Sequence, residues 1–460
     1  MSARPVIATI CFLPDHGHVM PLLRVTRLIA NRLGASVTCF LPTKFSVAAA
    51  TNGFDFYGLA SIDQGKGMEL FAELSSRSAF YGTFSNDQDL RDGYWSHLHE
   101  AASKEIVQLG ERLRALAPTI IVADNHVFTM HYQHIANALG ARLVLNRASG
   151  TLASRRGPFI RAFGISKTPL WLQAVVERVG YAHAGVLGRW RRLRDSKRAR
   201  FSQVCEALLD QRILEEFGPR SSSLGFPNHP ISTVLGLCVL ESRVYPGSAS
   251  SPRENEVFLR APPPETNNLT LSDPLREWLG QQPHGRVVYV SFGSIVWPKK
   301  SMVRSLLMGL READVSVIWA QSAIQRPWLD TTHFSGRFRF EEFAPQQSLL
   351  LSKSINCFIT HAGSGGAQEA LIGGVPMLCI PFMWDHPYVA SLIEQLGAGI
   401  RISRRHVTAR RVKFFVQRIL GEPTFAMRAL EAGRSLLPEG TKSETDWIDA
   451  LAGAQQKANQ

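Results

Sequence analysis

The chain is poor in cysteine, in acidic charge and in long apolar runs. Six cysteines, at positions 11, 39, 205, 238, 357 and 379, include no C-x-x-C pair. Four fall in predicted strands, which makes them small buried hydrophobes of a reducing compartment rather than disulfides or metal ligands. The longest apolar stretch, residues 231–240, is too short to cross a bilayer, which takes about 20 residues. No basic-then-apolar leader opens the chain, and it ends in polar GAQQKANQ. A soluble, cytoplasmic protein is expected. Low-complexity tracts and internal repeats are missing too, as are H-E-x-x-H and, because Gln368 stands at its last glycine position, G-x-G-x-x-G.

Acidic residues number 38 against 51 Lys and Arg, a formal net charge of +13. Much of the excess lies between Arg189 and Arg200, RWRRLRDSKRAR. A solvated helix face is the ordinary reading of such a run. The sharper one is a footprint for an anionic membrane surface, with Leu170–Leu172, Val175–Val176 and Val179 as a nearby apolar face. No nucleic-acid module accompanies it, so nucleic acid is not expected as a partner.

What is present is an alternation of short apolar runs with helical patterns over 460 residues. Two α/β domains with parallel sheets are the expectation. Strands are predicted at 6–13, 36–41, 119–123, 142–146, 287–294, 355–360 and 375–381. Helices are predicted from Pro21 to Gly34, over 130–139 and over 367–372. Residues 245–268, rich in Pro, Ser and Asn, read as a linker. The expected division is 1–245, a linker at 246–270, a second domain at 271–440, and a tail helix at 441–460 returning to the first domain.

The densest chemistry lies in FAPQQSLLLSKSINCFITHAGSGGAQEALIGGVPMLCIPFMWDH, from Phe343 to His386. Phe343, Ala344, Pro345 and Gln346 form a loop in which an aromatic ring can stack on a base. His361 follows a buried strand, and Gly363, Ser364, Gly365 and Gly366 precede a helix. Glycines there let backbone N–H groups approach a phosphate. Glu369 is expected in that helix's first turn, within reach of a ribose diol. Asp385 and His386 follow the next strand, where sugar hydroxyls can be held.

The order and spacing of Phe343, Gln346, His361, Gly363, Glu369, Gly374-Val375-Pro376 and Asp385 resemble the signature box of plant-type UDP-glycosyltransferases. DPLREWLGQQPHGRVVYVSFGS, from Asp273, resembles the opening of the family's donor domain. Three positions depart from the pattern. Phe343 stands for the usual Trp, Ser364-Gly365-Gly366 is closer to the bacterial macrolide-type form, and His386 replaces the closing Gln. The resemblance implies two Rossmann-like domains facing a cleft (GT-B), inverting transfer from a UDP-sugar, and no metal or other cofactor. It implies that Phe343 stacks on uracil, Gln346 helps at the nucleoside, and Glu369 binds ribose. His361, with Ser294 and the 363–366 backbone, would meet the diphosphate, and Asp385 with His386 the sugar.

The turn from Leu13 to Pro21, LPDHGHVMP, resembles the family's Gly-His-x-x-Pro element, which puts His18 in the place of the catalytic base. Asp124, at the end of a strand, takes the place of the acid that orients it. Left to themselves, a loop histidine and an N-cap aspartate would be the ordinary readings. His126, His131 and His134 form a second cluster, but no further ligand stands at metal spacing. The expected protein is a monomeric glycosyltransferase moving a sugar, glucose first, to a small and largely apolar acceptor. A nucleotide-sugar epimerase of the same fold and a non-catalytic membrane-surface binding protein are the alternatives.

Overall fold

A computed structural model describes residues 4–63, 96–125, 128–147, 196–219, 231–235, 237, 240, 256–260, 271–293, 296, 298–320, 336–382, 385–437, 446–449 and 451. Ser294, His126, Cys238 and most of the basic run lie outside them. The last five residues of that run open the helix Ser196–Phe217.

Two parallel sheets organise the chain. The first contains β1 (Val6–Ile10), β2 (Ser36–Leu41), β3 (Asp55–Gly58), β4 (Ile120–Asp124), β5 (Arg142–Arg147), β6 (Ile231–Leu235) and β7 (Glu256–Leu259), in the order β3-β2-β1-β4-β5-β6-β7. The second contains β8 (Val287–Ser291), β9 (Ser316–Ala320), β10 (Phe338–Glu341), β11 (Cys357–Thr360), β12 (Met377–Cys379) and β13 (Gly399–Arg401), in the order β10-β9-β8-β11-β12-β13. All residues of β4 and β8 are buried, as strands covered on both faces must be. The five described cysteines are free and buried.

Each order reverses once. The chain leaves β1 to one side and returns to its other side at β4, in the register Ile7↔Ile120. The same happens between β8 and β11, with Val288 beside Cys357. Such reversals open a crevice at the carboxyl ends of the two strands, where open α/β sheets bind ligands. Each sheet therefore offers one site by topology.

Several boundaries differ from the sequence expectations. The first helix spans His16–Leu33 and contains Pro21 inside it, rather than starting there. Asp15 caps it, its Oδ1 accepting from the His18 N–H at 3.1 Å. This cap stabilises a first turn without a proline, and Pro21 removes only the one N–H that would reach Gly17. Gly34 ends the helix in the left-handed region, as expected, with φ 59°. Within the stretch read as a linker, Glu256–Leu259 joins the first sheet as its edge strand, pairing Thr233 with Val257. Four residues are too few for alternation to be visible in the sequence.

Glycine at 433 permits one close approach. A Cβ there would lie 1.9 Å from the Leu371 carbonyl oxygen, on the helix packed against Pro423–Leu436. Ala gains about 1 kcal/mol of helix propensity over Gly, but backbone cannot yield as a side chain tip can. Overpacking costs about 3 kcal/mol, so Gly433→Ala is expected to lower stability by roughly 2 kcal/mol net. A denaturant midpoint at or above that of the parent would show that the helices separate freely.

Candidate active site

His18 and Asp124 meet at the first sheet's reversal. His18 lies in the first turn of His16–Leu33, and Asp124 is the last residue of β4. The His18 Nδ1 stands 2.9 Å from the Asp124 Oδ1. Asp124 does not cap the following helix Thr129–Ala138, whose N-cap is Phe128. Asp124 is 2 % exposed, and among the described residues its Oδ2 has no hydrogen-bond partner. Tyr132 braces the loop after β1, its hydroxyl accepting the Phe12 N–H at 3.0 Å.

Burial opposes a charge on His18, but the carboxylates of Asp124 and Asp15, with Asp385 of the second domain, raise its pKa to about 10. The resting imidazole therefore holds a proton at neutral pH. Its folded pKa exceeds the ordinary 6.5, so the pair contributes stability that is full below pH 6.5 and is lost as pH rises to about 10. A base must be neutral to accept, so kcat/KM is expected to climb with pH towards that alkaline limb. Asp124→Asn removes a raising charge and should move the limb to lower pH while slowing the maximal rate. A pH–rate series on both proteins measures this, and a shared limb near the unperturbed value would separate His18 from the rate.

The second reversal holds the other cluster. His361 follows β11, and burial lowers its pKa to about 4 despite its ring N–H donating to the Ser291 backbone carbonyl, so it is neutral. Ala362 adopts φ 65°, a left-handed conformation uncommon outside glycine. Gly363 is the N-cap of Ser364–Gly373, so Ser364, Gly365 and Gly366 form that helix's first turn rather than a loop. The helix begins three residues before the expected start, and Glu369 sits in its second turn. Two glycines in succession weaken the helical pattern in sequence, while the N-terminal N–H groups they expose favour an anion. A Cβ at Gly363 would lie 2.5 Å from the His361 Nε2, and one at Gly293 would lie 2.9 Å from its Cε1. These two glycines fix the imidazole between them.

Gln346, the first residue of the helix Gln346–Leu351, donates from Nε2 to the Glu369 Oε2 at 2.9 Å. Tyr289 donates to the Gln346 Oε1 at 3.4 Å. Ala344 is buried, and Phe343 is 75 % exposed, leaving its ring face open. Asp385 is the N-cap of His386–Gln395. His386 is buried and packs edge-on against His361, with ring centroids 4.5 Å apart. Burial first, and the neighbouring His361, lower its pKa, which keeps it neutral.

The other histidines go elsewhere. The His131 Nε2 lies 3.3 Å from the Asp210 Oδ1, and the His134 Nε2 lies 2.9 Å from the Gly218 carbonyl oxygen. Among the described residues no group of three His, Cys, Asp or Glu could hold a metal ion. None of the described helices is long and apolar enough to cross a membrane.

Arg24 was not singled out in the sequence. It reaches from His16–Leu33 to the Glu369 Oε1 at 2.7 Å. The available signal is a charge interrupting the apolar run Pro21-Leu22-Leu23-Arg24-Val25.

Two Rossmann-like α/β domains, each with its polar cluster at a sheet reversal, define the two-domain GT-B glycosyltransferase fold. UGT2 of Phytolacca americana, solved with UDP-2fluoro-glucose and pterostilbene, superposes at a TM-score of 0.62 with 17% identity, over 98% of this chain and all of that one. Residues 270–432, in the second domain, match the family described as UDP-glucoronosyl and UDP-glucosyl transferase. UDP-glycosyltransferase 84A2 of Arabidopsis thaliana is 31% identical over 193 residues, 40% of this chain and 38% of that protein. Anthocyanidin 3-O-glucosyltransferase 2 of Fragaria ananassa is 32% identical over 143 residues, 30% of this chain and 31% of that protein. The chain thus aligns with under half the length of these curated relatives.

Proposed function

We propose that the chain is an inverting glycosyltransferase that moves a sugar, glucose first, from a UDP-sugar to a hydroxyl of a small, largely apolar acceptor. The observation that carries this reading is the 2.9 Å His18–Asp124 pair, set at one sheet reversal and facing the domain that holds His361, Gly363 and Glu369. The acceptor hydroxyl gives its proton to the His18 Nε2 as its oxygen attacks the anomeric carbon. The bond from that carbon to the diphosphate oxygen breaks, and UDP leaves with the electron pair. Asp124 holds the ring and offsets the imidazolium.

Phe343 stacks on the uracil, Gln346 and Ala344 frame the nucleoside, and Glu369 accepts from the ribose. His361 with the N–H groups of 363–366 meets the diphosphate, in place of a divalent cation. Ser294 would join them. Asp385 and His386 hold the sugar. Curated relatives named for glucosyl transfer to anthocyanidins and gallate support a phenolic acceptor class.

The test is transfer from UDP-glucose to a phenol panel in EDTA, read by mass spectrometry, with the anomer assigned by NMR. An acceptor-dependent β-glucoside is expected. Donor turnover independent of acceptor would favour an epimerase, and loss of activity in EDTA restored by Mg²⁺ would overturn the metal-free reading. Binding to anionic vesicles without donor consumption would favour a membrane-surface protein.

A further inference from the structure

The Glu369 carboxylate is held from two domains at once. Gln346, of its own domain, donates to Oε2 at 2.9 Å, and Arg24, of the first domain, donates to Oε1 at 2.7 Å. The Arg24 and Glu369 side chains are 18 % and 14 % exposed, whereas a surface pair such as Arg276–Asp273 is 61 % and 78 % exposed. Water therefore screens the Arg24 bond far less than it screens a surface pair. A carboxylate has about four acceptor positions. Two donors fix its plane and leave two positions for a diol.

The helix His16–Leu33 carries Arg24 six residues after His18, about 9 Å along its axis. One helix thus bears both His18 and the residue that grips the Glu369 carboxylate.

We propose that Arg24 is a donor-positioning residue, which orients Glu369 across the cleft to receive the ribose diol and so ties nucleoside binding to the seating of His18. The proposal rests on the reading of Glu369 as the ribose acceptor. An ordinary tie between domains would strengthen every nucleotide equally. A positioning residue strengthens the one whose hydroxyls Glu369 receives.

The probes are UDP and 2′-deoxy-UDP, titrated calorimetrically into the full chain. Failure of the parent to bind UDP would remove the functional reading itself, before any substitution is made. With UDP bound by the parent, Arg24→Gln is expected to weaken UDP about tenfold, the worth of one charge-assisted hydrogen bond, and 2′-deoxy-UDP by less than threefold. Arg24→Lys, which keeps the charge but not the fork, should fall between parent and Arg24→Gln for UDP. Donor KM should follow the same ranking, with kcat changed less.

Parent-like UDP affinity in Arg24→Gln, or equal losses for the two nucleotides, would overturn the assignment. If both variants unfold, Arg24 is a folding residue and the assignment is equally wrong.

Discussion

His18→Ala is expected to lose ~10²–10⁴ of turnover, the usual contribution of a general base, while binding UDP almost as the parent does. The imidazole belongs to the first domain, and the residues assigned to touch the nucleotide belong to the second, so the loss should fall on kcat. Removing the ring also strands Asp124, a residue 2 % exposed with one carboxylate oxygen already lacking a partner among the described residues. Part of any effect could then be destabilisation. His18→Asn, which keeps an N–H donor for Asp124 but cannot act as a base, separates the two. It should retain the parent's thermal midpoint more nearly than the alanine variant and remain as inactive. Turnover within a fewfold of the parent in either variant would take His18 out of the mechanism.

Glu369→Ala should raise the donor KM by about 10²-fold, with kcat within a fewfold. Two effects combine. The ribose loses a charged acceptor, worth about 1.5–3 kcal/mol. Arg24 and Gln346 lose the carboxylate that holds them at 2.7 and 2.9 Å, so a guanidinium only 18 % exposed is left without its counter-charge. Steady-state kinetics against UDP-glucose and calorimetry with UDP measure the split. An unchanged KM would assign Glu369 to the tie between domains and remove it from the nucleoside.

Parallel strands buried on both faces leave near-continuous apolar runs, and for that reason β1, β2, β4 and β5 could be placed from sequence to within a few residues. The positions of His18, Asp124, His361 and Glu369 in the chain were legible for a different reason. His361 and Glu369 fall at the spacing of a known box, His18 lies in a turn like the same family's Gly-His-x-x-Pro element and Asp124 ends a strand, and the sheet order then brings their neighbourhoods to the two reversals. Helix starts were less legible. Pro21 is a common first-turn residue, so the turn capped by Asp15 read as loop, and Gly365-Gly366 concealed the first turn of Ser364–Gly373 in the same way. Arg24 was hidden because its partner lies 345 residues away, a distance over which periodicity says nothing. The short β7 was lost in a Pro- and Ser-rich stretch.

The same reversals that create the site also govern when it can form. Strand β1 lies inside its sheet, yet Val6 bonds to Thr119, 113 residues later, and His18 bonds to Asp124, 106 residues later. Pairings of that separation must close a long loop before any contact rewards it, which makes them slow. As the chain leaves the ribosome, β1 and β2 can pair at once, but the flank of β1 beside His18 stays open until residue 124 has been made. Until then a row of unpaired strand groups faces outward, a template for mispairing with another nascent chain. The flank of β1 that borders the crevice assigned to catalysis is therefore also an edge left open during synthesis, and shortening the stretch between β3 and β4 would be expected to speed refolding.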